Sequence, residues 1–141
     1  MNSVIPAALV SWFIAQIIKV VFGIIKYGLQ DRSCIFWRII WAGGMPSAHS
    51  AVITSAAVTI LNSSGIESPI FGLAAVVWVV VIYDRSRMYS IYCTFQKKYP
   101  DFARDIQKDP LLIDLVGHRI SEIIAGIVIG AVVGTIMSSV I

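Results

Sequence analysis

Two histidines are the residues best suited to chemistry in this chain, and each stands in a polar cluster. His49 ends the stretch Gly-Gly-Met-Pro-Ser-Ala-His at residues 43–49. Two glycines allow a tight turn, and proline suits the first position of the helix that follows. The unpaired backbone N–H groups of such a helix start form an anion site, to which Ser47 adds a hydroxyl group. This stretch therefore predicts a site for a phosphate or a similar anion.

The second histidine, His118, has a carboxylate partner. Glu122 follows four residues later, so on a helix the two side chains share one face. A carboxylate within reach of a histidine fixes its tautomer and raises its basicity, as an orienting group does for a nucleophile. Glu122 also has a purely structural interpretation, because negative charge is favourable near a helix N-terminus. The sequence leaves both interpretations open.

A third polar cluster contains Asp84, Arg85 and Arg87, where an apolar run gives way to charged sequence. The planar guanidinium group of arginine matches the non-bridging oxygens of a phosphate. The same arginines fit equally well as markers of a cytoplasmic membrane boundary. Lys19, inside the first apolar run, either binds phosphate or extends its ammonium group to the membrane surface. With two histidines and a carboxylate, these cations would make a phosphoryl-transfer site that needs no metal.

These clusters occur in a strongly apolar chain. Of its 141 residues, 57% are hydrophobic and 13% are charged, whereas a soluble domain has about 25% charged residues. A small soluble core could not bury so many apolar side chains, so the composition predicts an integral membrane protein. The net charge of +3 is too small for a nucleic-acid-binding protein. Cys34 and Cys93 lack the spacing of a metal or disulfide motif and are predicted to be free thiols.

Four apolar segments are candidates to cross a bilayer, which takes about 20 helical residues. They cover residues 4–25, 46–62, 69–83 and 119–141. Residues 34–41 are too few to span but suit an interfacial helix with aromatic anchors, and residues 84–117 are expected to be amphipathic or irregular. The predicted fold is all-α: one membrane-embedded domain over residues 1–141, with about four transmembrane helices and a short interfacial helix.

Four spans would place all three polar clusters on one side of the membrane. Residues 26–45 and 84–117 lie on that side, and both termini and residues 62–68 lie on the other. The lysines and arginines fall on the cluster side or in the helix regions bordering it, whereas the opposite side carries only Glu67. Because positive charge favours the cytoplasmic side, the clusters are predicted to face the cytoplasm.

The last predicted span carries a stripe of glycines with a spacing of four. Gly126, Gly130 and Gly134 share one helix face, and small residues at this spacing allow helices to approach closely in membranes. The stripe indicates either packing within the chain or a homodimer, and the sequence does not choose between them.

At these clusters the chain resembles the divergent branch of the type 2 phosphatidic acid phosphatase superfamily. The resemblance lies in Ala15-Gln16-Ile17-Ile18-Lys19, in Gly-Gly-Met-Pro-Ser-Ala-His-Ser-Ala at 43–51, in Tyr83-Asp84, and in Gly117-His118 with Glu122 and Ala125-Gly126. The pieces occur in the family's order over nearly the whole chain, and the stretch at 43–51 is highly specific. The chain departs from the family's pattern at two places. Arg85-Ser86-Arg87 replaces the usual Gly-x-Arg-Arg segment, and Ala48 stands where serine or glycine is usual.

The resemblance implies a membrane phosphatase that works through a phosphohistidine, without a metal or other cofactor. His118 would match the nucleophile, Glu122 the acid that orients it, and His49 the general acid that protonates the leaving oxygen. Lys19, Ser47 and the first-turn amides would hold the phosphate.

Arginine would complete the phosphate site, and the departure from the usual segment leaves open whether Arg85 or Arg87 does so. Asp84 and Arg38 are further candidates for supporting residues. The superfamily's usual six-helix core cannot be built from 141 residues, so this chain would be a reduced version.

The predicted function is hydrolysis of a phosphate monoester or diphosphate on a lipid headgroup, at the cytoplasmic leaflet of a bacterial inner membrane. Phosphatidylglycerol phosphate is the first substrate expected, followed by phosphatidate and polyprenyl diphosphate. The alternative is a small non-catalytic membrane protein that binds anionic headgroups or partner helices, which would not need the His118–Glu122 pair. A transporter is less favoured, because no span is broken at mid-membrane and no repeat is visible.

Overall fold

Five helices make up the part of the chain that a computed structural model describes, namely residues 3–27, 45–108 and 117–140. They are α1 (Val4–Tyr27), α2 (Ala48–Ser64), α3 (Pro69–Lys98), α4 (Pro100–Lys108) and α5 (Ile120–Val140). None of these residues forms a strand, so the all-α prediction is confirmed. The predicted interfacial helix at 34–41, with Arg38 and Cys34, lies outside the described residues.

Three of the described helices are long and apolar enough to cross a membrane. They are α1 over Val4–Phe22, α3 and α5. Helix α2, at the second predicted span, has 17 residues and a length of about 26 Å, against about 30 Å for the hydrocarbon core. The fold is therefore a membrane helical bundle in which three full-length helices surround a shorter one.

Local sequence explains where α2 and α3 begin and end. Ser47 and Ser68 are the N-caps, and each side-chain oxygen accepts a hydrogen bond from the backbone N–H three residues later. Pro69 takes the first position of α3, where its missing N–H costs nothing. Helix α2 ends at Gly65, whose φ of +78° is readily available only to glycine.

Helix α3 is longer than predicted. An end near Tyr83 was expected, followed by amphipathic or irregular structure, but the helix continues for 30 residues to Lys98, a length of about 45 Å. No glycine or proline occurs in residues 84–98, and Pro100 is the first proline beyond them. Because proline disfavours helical backbone in the residue before it, the helix ends at this point. The charges after Tyr83 mark where α3 leaves the apolar layer and not where it ends.

Helix α2 is the central element, and the glycine stripe of α5 lies against it. A Cβ atom added at Gly130 would lie 2.8 Å from the Cβ of Thr54 and 2.9 Å from the backbone nitrogen of Ser55. Gly126 and Gly134 contact α2 in the same way, one turn before and one turn after. The glycine stripe thus serves helix packing within the chain. A homodimer stays a prediction, but the stripe no longer supports it.

Buried side chains on α2 also determine how the other helices run. Ser55 is hydrogen-bonded to Ser11 of α1 (Oγ–Oγ 2.9 Å), and Thr54 accepts a hydrogen bond from the Trp78 indole of α3 at 2.8 Å. Helices α1 and α3 run antiparallel to α2, whereas α5 runs parallel to it. One end of the bundle therefore contains the starts of α2 and α5, the last turns of α1 and the middle of α3. We call this end of the bundle the charged end.

Candidate active site at the charged end

Backbone hydrogen bonds join the three polar clusters at the charged end. The N–H of Ser47 donates to the carbonyl of Glu122 at 2.9 Å, and the N–H of His118 donates to the carbonyl of Arg85 at 3.3 Å. The first bond links α2 to α5, and the second links the start of α5 to α3. Three segments that are distant in the sequence thus form one constellation.

Gly117 allows the chain before α5 to approach α3. Its φ is +73°, a conformation that glycine adopts without steric cost. A Cβ atom here would lie 2.6 Å from the backbone nitrogen of Tyr89 and 2.7 Å from the Cβ of Met88. A side chain at 117 would strain the backbone and push α3 away from His118. This role could not be inferred from sequence, because it depends on the position of α3.

The His118–Glu122 pair is formed as its spacing predicts. The Nδ1 atom of His118 lies 3.0 Å from Oε2 of Glu122, and the histidine is 3% exposed. The same Oε2 accepts the backbone N–H of Arg119 at 3.3 Å. The carboxylate therefore caps α5 and contacts the imidazole at the same time. Because Nδ1 faces Glu122, Nε2 is the ring nitrogen left for a reacting group.

His49 is the neighbour of His118 across the contact between α2 and α5. Its side chain is exposed, and the two ring centroids are 6.3 Å apart with an angle of 52° between the planes. Since a hydrogen bond spans about 3 Å, a group placed between the rings can contact both of them.

Ser47 has a different position from the one expected of a phosphate ligand. It is fully buried, and its Oγ accepts the backbone N–H of Ser50 at 3.4 Å and the Ser50 hydroxyl at 3.0 Å. The structure does not present this hydroxyl to a phosphate, because no surface of the residue is open. Ser47 instead caps α2 and keeps the first-turn N–H groups directed at the charged end, where the anion site of a helix start lies.

Lys19 belongs to the face of α1 that contacts α2. The four residues before it at spacings of four are all buried: Ser3, Ala7, Ser11 and Ala15. Ala15 packs against Ala48 and Ala51 in the first turn of α2. Residues four apart lie above one another on a helix, so Lys19 is one turn closer to the charged end. Its side chain is partly buried, one helical turn beyond the contact between Ala15 and the first turn of α2.

Of the two arginines that the sequence left open, Arg85 is the one whose backbone contacts His118. Its partly buried guanidinium group lies 3.9 Å from the exposed carboxylate of Asp84. Arg87 is two residues further, about 200° around the helix, and its exposed guanidinium donates to the hydroxyl of Tyr83 at 3.3 Å. The structure therefore brings the backbone of Arg85, and not that of Arg87, to His118, and phosphate binding by the Arg85 guanidinium group stays a prediction.

Some predicted members of the site lie in the part of the chain that the structure does not describe. The candidate supporting residue Arg38 and the glycines at 43 and 44 lie outside the described residues, so their contribution to the site stays a prediction. Within residues 3–27, 45–108 and 117–140, no group of three or more His, Cys, Asp or Glu side chains is arranged to hold a metal ion.

An open groove of about 730 Å³ lies between α3 and the start of α5. It is lined by Ser86, Tyr89, Ser90, Cys93, Arg119, Ile120 and Ser121. Two of these residues, Ser86 and Arg119, directly follow Arg85 and His118 in the chain, so the groove lies next to the segments that carry the constellation. Sequence reasoning missed this groove. The signal was the helical spacing of Ser86, Ser90 and Cys93, which becomes visible only once α3 is known to continue past Tyr83.

Comparison with known proteins identifies a family and one relative of this chain. The profile of the family described as "Divergent PAP2 family" matches residues 1–133, a range that includes every site residue named here. An uncharacterized membrane protein, YuiD of Bacillus subtilis (strain 168), is 25% identical over 142 residues, covering 89% of this chain and 87% of that protein. No solved structure matches the chain.

Proposed function

Because the chain belongs to the divergent PAP2 family, we propose that it is a metal-independent phosphatase acting on phosphorylated lipid headgroups. The observation that carries the proposal is the pairing of His118 with Glu122 at 3.0 Å, with a second histidine ring 6.3 Å away. The capped start of α2 and the backbone of Arg85 contact the segment that carries this pair, and Lys19 belongs to the face of α1 that packs against α2. Such an arrangement supplies a nucleophile, an acid and positive charge around one anion.

In the first step, Nε2 of His118 attacks phosphorus. The N–P bond forms as the bond from phosphorus to the lipid oxygen breaks. Glu122 accepts the hydrogen bond from Nδ1–H and stabilises the positive charge that develops on the imidazole. His49 gives its proton to the departing lipid oxygen, which leaves as a neutral hydroxyl group. The product of this step is a phosphohistidine.

In the second step, water restores the enzyme. The water molecule loses a proton to His49 as its oxygen attacks phosphorus, and the N–P bond breaks. Inorganic phosphate leaves, and both histidines return to their starting states. No group other than water and the lipid phosphate is consumed.

The phosphate itself would be held by three positive features. The first-turn amides of α2, kept in place by the Ser47 cap, would bind non-bridging oxygens. Lys19, beside the same helix start, and Arg85, next to His118, would neutralise the remaining charge. His118 is buried, and charge stabilisation is stronger in a site that excludes water.

The proposed substrate is a lipid at the cytoplasmic leaflet of a bacterial inner membrane. All described lysines and arginines belong to the charged end or to the helices beyond it, and Glu67 is the charged residue of the opposite end. Positive charge favours the cytoplasmic side, so the charged end would meet headgroups of the inner leaflet. Phosphatidylglycerol phosphate is the first substrate we propose, followed by phosphatidate and polyprenyl diphosphate.

The proposal is tested by measuring inorganic phosphate released from these three lipids by the purified protein, with and without a strong chelator. We expect release from at least one lipid, unchanged by the chelator. No release from any of them by folded protein would favour the non-catalytic alternative, in which the charged end only binds anionic headgroups. Release that the chelator abolishes would contradict the metal-independent mechanism.

Replacing Glu122 by glutamine distinguishes its two roles. Glutamine can still cap a helix in this position, but it cannot stabilise a positive imidazole by charge. If Glu122 orients and stabilises His118, Glu122→Gln lowers kcat by about 10⁴-fold, as replacing the carboxylate of a catalytic triad by an amide does, with thermal stability unchanged. A fully active Glu122→Gln variant would mean that the carboxylate serves only as a cap. Phosphate release and thermal unfolding of the same preparation supply both readouts.

A further inference from the structure

We propose that the groove between α3 and the start of α5 is a headgroup subsite for lipids that carry hydroxyl groups and a second phosphate beside the scissile one. The inference rests on the proposed function, because it places the scissile phosphate at His118. Its lining includes Arg119, the residue that follows His118, and Ser86, the residue that follows Arg85. A headgroup that extends from a phosphate at His118 towards Arg119 would meet the residues that line this groove.

The hydroxyl groups of the groove are suited to accept hydrogen bonds. Ser86 donates its own proton to the carbonyl of Tyr83 at 2.9 Å, and Ser90 donates to the carbonyl of Ser86 at 3.4 Å. Each oxygen therefore retains lone pairs as acceptors. Tyr89 and Ser121 add two more hydroxyl groups to the lining. A headgroup that bears hydroxyl donors fits these acceptors, whereas one without hydroxyls leaves them unused.

Arg119 supplies positive charge at the end of the groove closest to His118. Arg119 is exposed, and its guanidinium group forms no ion pair with any residue in the described part of the chain. A guanidinium group binds a phosphate through two parallel hydrogen bonds. The backbone at the start of α5, at Ile120 and Ser121, adds the positive end of a helix. This combination favours a second phosphate in addition to the one at His118.

These two features together define the class of substrate. Phosphatidylglycerol phosphate has a hydroxyl group and a second phosphate close to its terminal phosphate. Polyprenyl diphosphate has the second phosphate without the hydroxyl group, and phosphatidate has neither. The groove therefore predicts that the enzyme prefers the first of these lipids, the diphosphate less, and phosphatidate least.

The first test compares substrate preference in Arg119→Gln with that of the parent protein. We expect the ratio of kcat/KM for phosphatidylglycerol phosphate to that for phosphatidate to fall about tenfold or more, equivalent to about 1.4 kcal/mol. Arg104→Gln is the matched control, since Arg104 is exposed and paired with Asp101 on α4, and its ratio should not change. An equal loss on both lipids in Arg119→Gln would overturn the subsite.

A matched serine pair tests the hydroxyl acceptors. Ser90→Ala should lower the preference for phosphatidylglycerol phosphate over polyprenyl diphosphate, because only the former offers a hydroxyl group. Ser63→Ala is the control: Ser63 is exposed, bonds a helix carbonyl as Ser90 does, and lies at the opposite end of the bundle. An unchanged preference in Ser90→Ala would remove the hydroxyl part of the proposal.

Binding to the groove can also be measured without turnover, which separates the subsite from the catalytic proposal. Cys93 is a free, partly buried thiol in the lining, and its alkylation can be followed by mass spectrometry in lipid nanodiscs. In His118→Ala, phosphatidylglycerol phosphate should slow this alkylation severalfold more than phosphatidate does. Equal rates with both lipids would overturn the subsite, and His118→Gln, which also lacks the nucleophile, replaces His118→Ala if the latter fails to fold.

The outcomes for the two proposals are distinguishable. Protection of Cys93 by phosphatidylglycerol phosphate together with no phosphate release from any lipid would support the subsite and contradict the phosphatase. Phosphate release without differential protection would support the phosphatase and contradict the subsite.

Discussion

Replacing His118 by alanine is expected to abolish phosphate release, lowering kcat by about 10⁴-fold or more, the scale on which removal of a nucleophile acts. The variant lacks the nitrogen that would form the bond to phosphorus. It keeps the Ser47–Glu122 backbone bond and the glycine contacts that join α5 to α2. Stability should therefore change much less than activity. Phosphate release and thermal unfolding of the detergent-solubilised variant test this directly.

His49→Ala provides the comparison that separates nucleophile from general acid. A general acid matters most when the leaving oxygen is a poor leaving group, as in a lipid alkyl ester. We expect His49→Ala to lose activity on the lipid but to retain the first step on an aryl phosphate, seen as a burst of the aryl alcohol, because that leaving group needs no proton whereas hydrolysis of the phosphohistidine still uses His49. His118→Ala should lose both activities and the acid-labile phosphohistidine. A folded, fully active His118→Ala variant would contradict the proposed mechanism.

Replacing Gly130 by alanine is expected to have the largest effect on stability, about 1–3 kcal/mol or more. The added Cβ would meet the backbone carbonyl of Ala51 and lie 2.8 Å from the Cβ of Thr54 and 2.9 Å from the nitrogen of Ser55. Backbone atoms of a helix cannot turn away as the end of a flexible side chain can. Helices α2 and α5 would have to separate, and thermal unfolding in detergent measures the cost.

Gly72→Ala is the matched control for that substitution. Gly72 is also a helical glycine in a spanning helix, but nothing lies within 4 Å of a Cβ built there. Its replacement should change stability by at most about 1 kcal/mol, the difference in helix propensity between the two residues. If Gly130→Ala were as stable as Gly72→Ala, α2 and α5 would not be packed as described.

The existence of the helices could be predicted from the sequence, whereas their pairing could not. The apolar segment 69–83 predicts α3, but it places the end of the helix 15 residues too early, because polar composition does not by itself end a helix. A helix continues until a residue such as proline or glycine ends it, and the first such residue after Tyr83 is Pro100. The glycine stripe of α5 predicted close packing, yet its partner depends on the relative positions of helices that no periodicity encodes.

In the candidate site, too, contacts within one helix could be predicted from the sequence, whereas contacts between helices could not. The His118–Glu122 contact follows from a spacing of four within one helix, so the sequence predicts it without knowledge of the fold. The choice between Arg85 and Arg87 depends on the rotation of α3 relative to Gly117. The burial of Ser47 depends on how α5 covers the start of α2. Both are tertiary facts, and a sequence motif contains no information about them.

The central position of α2 has a consequence for how this protein is made. Helix α2 is shorter than a bilayer is thick and buries Ser50, Thr54, Ser55 and Thr59, so on its own it is a poor candidate to leave the insertion machinery for lipid. The helix that covers it most extensively, α5, is synthesised after the other described helices. Stable integration of α2 should therefore await α5, which makes membrane entry non-sequential and sensitive to truncation before α5.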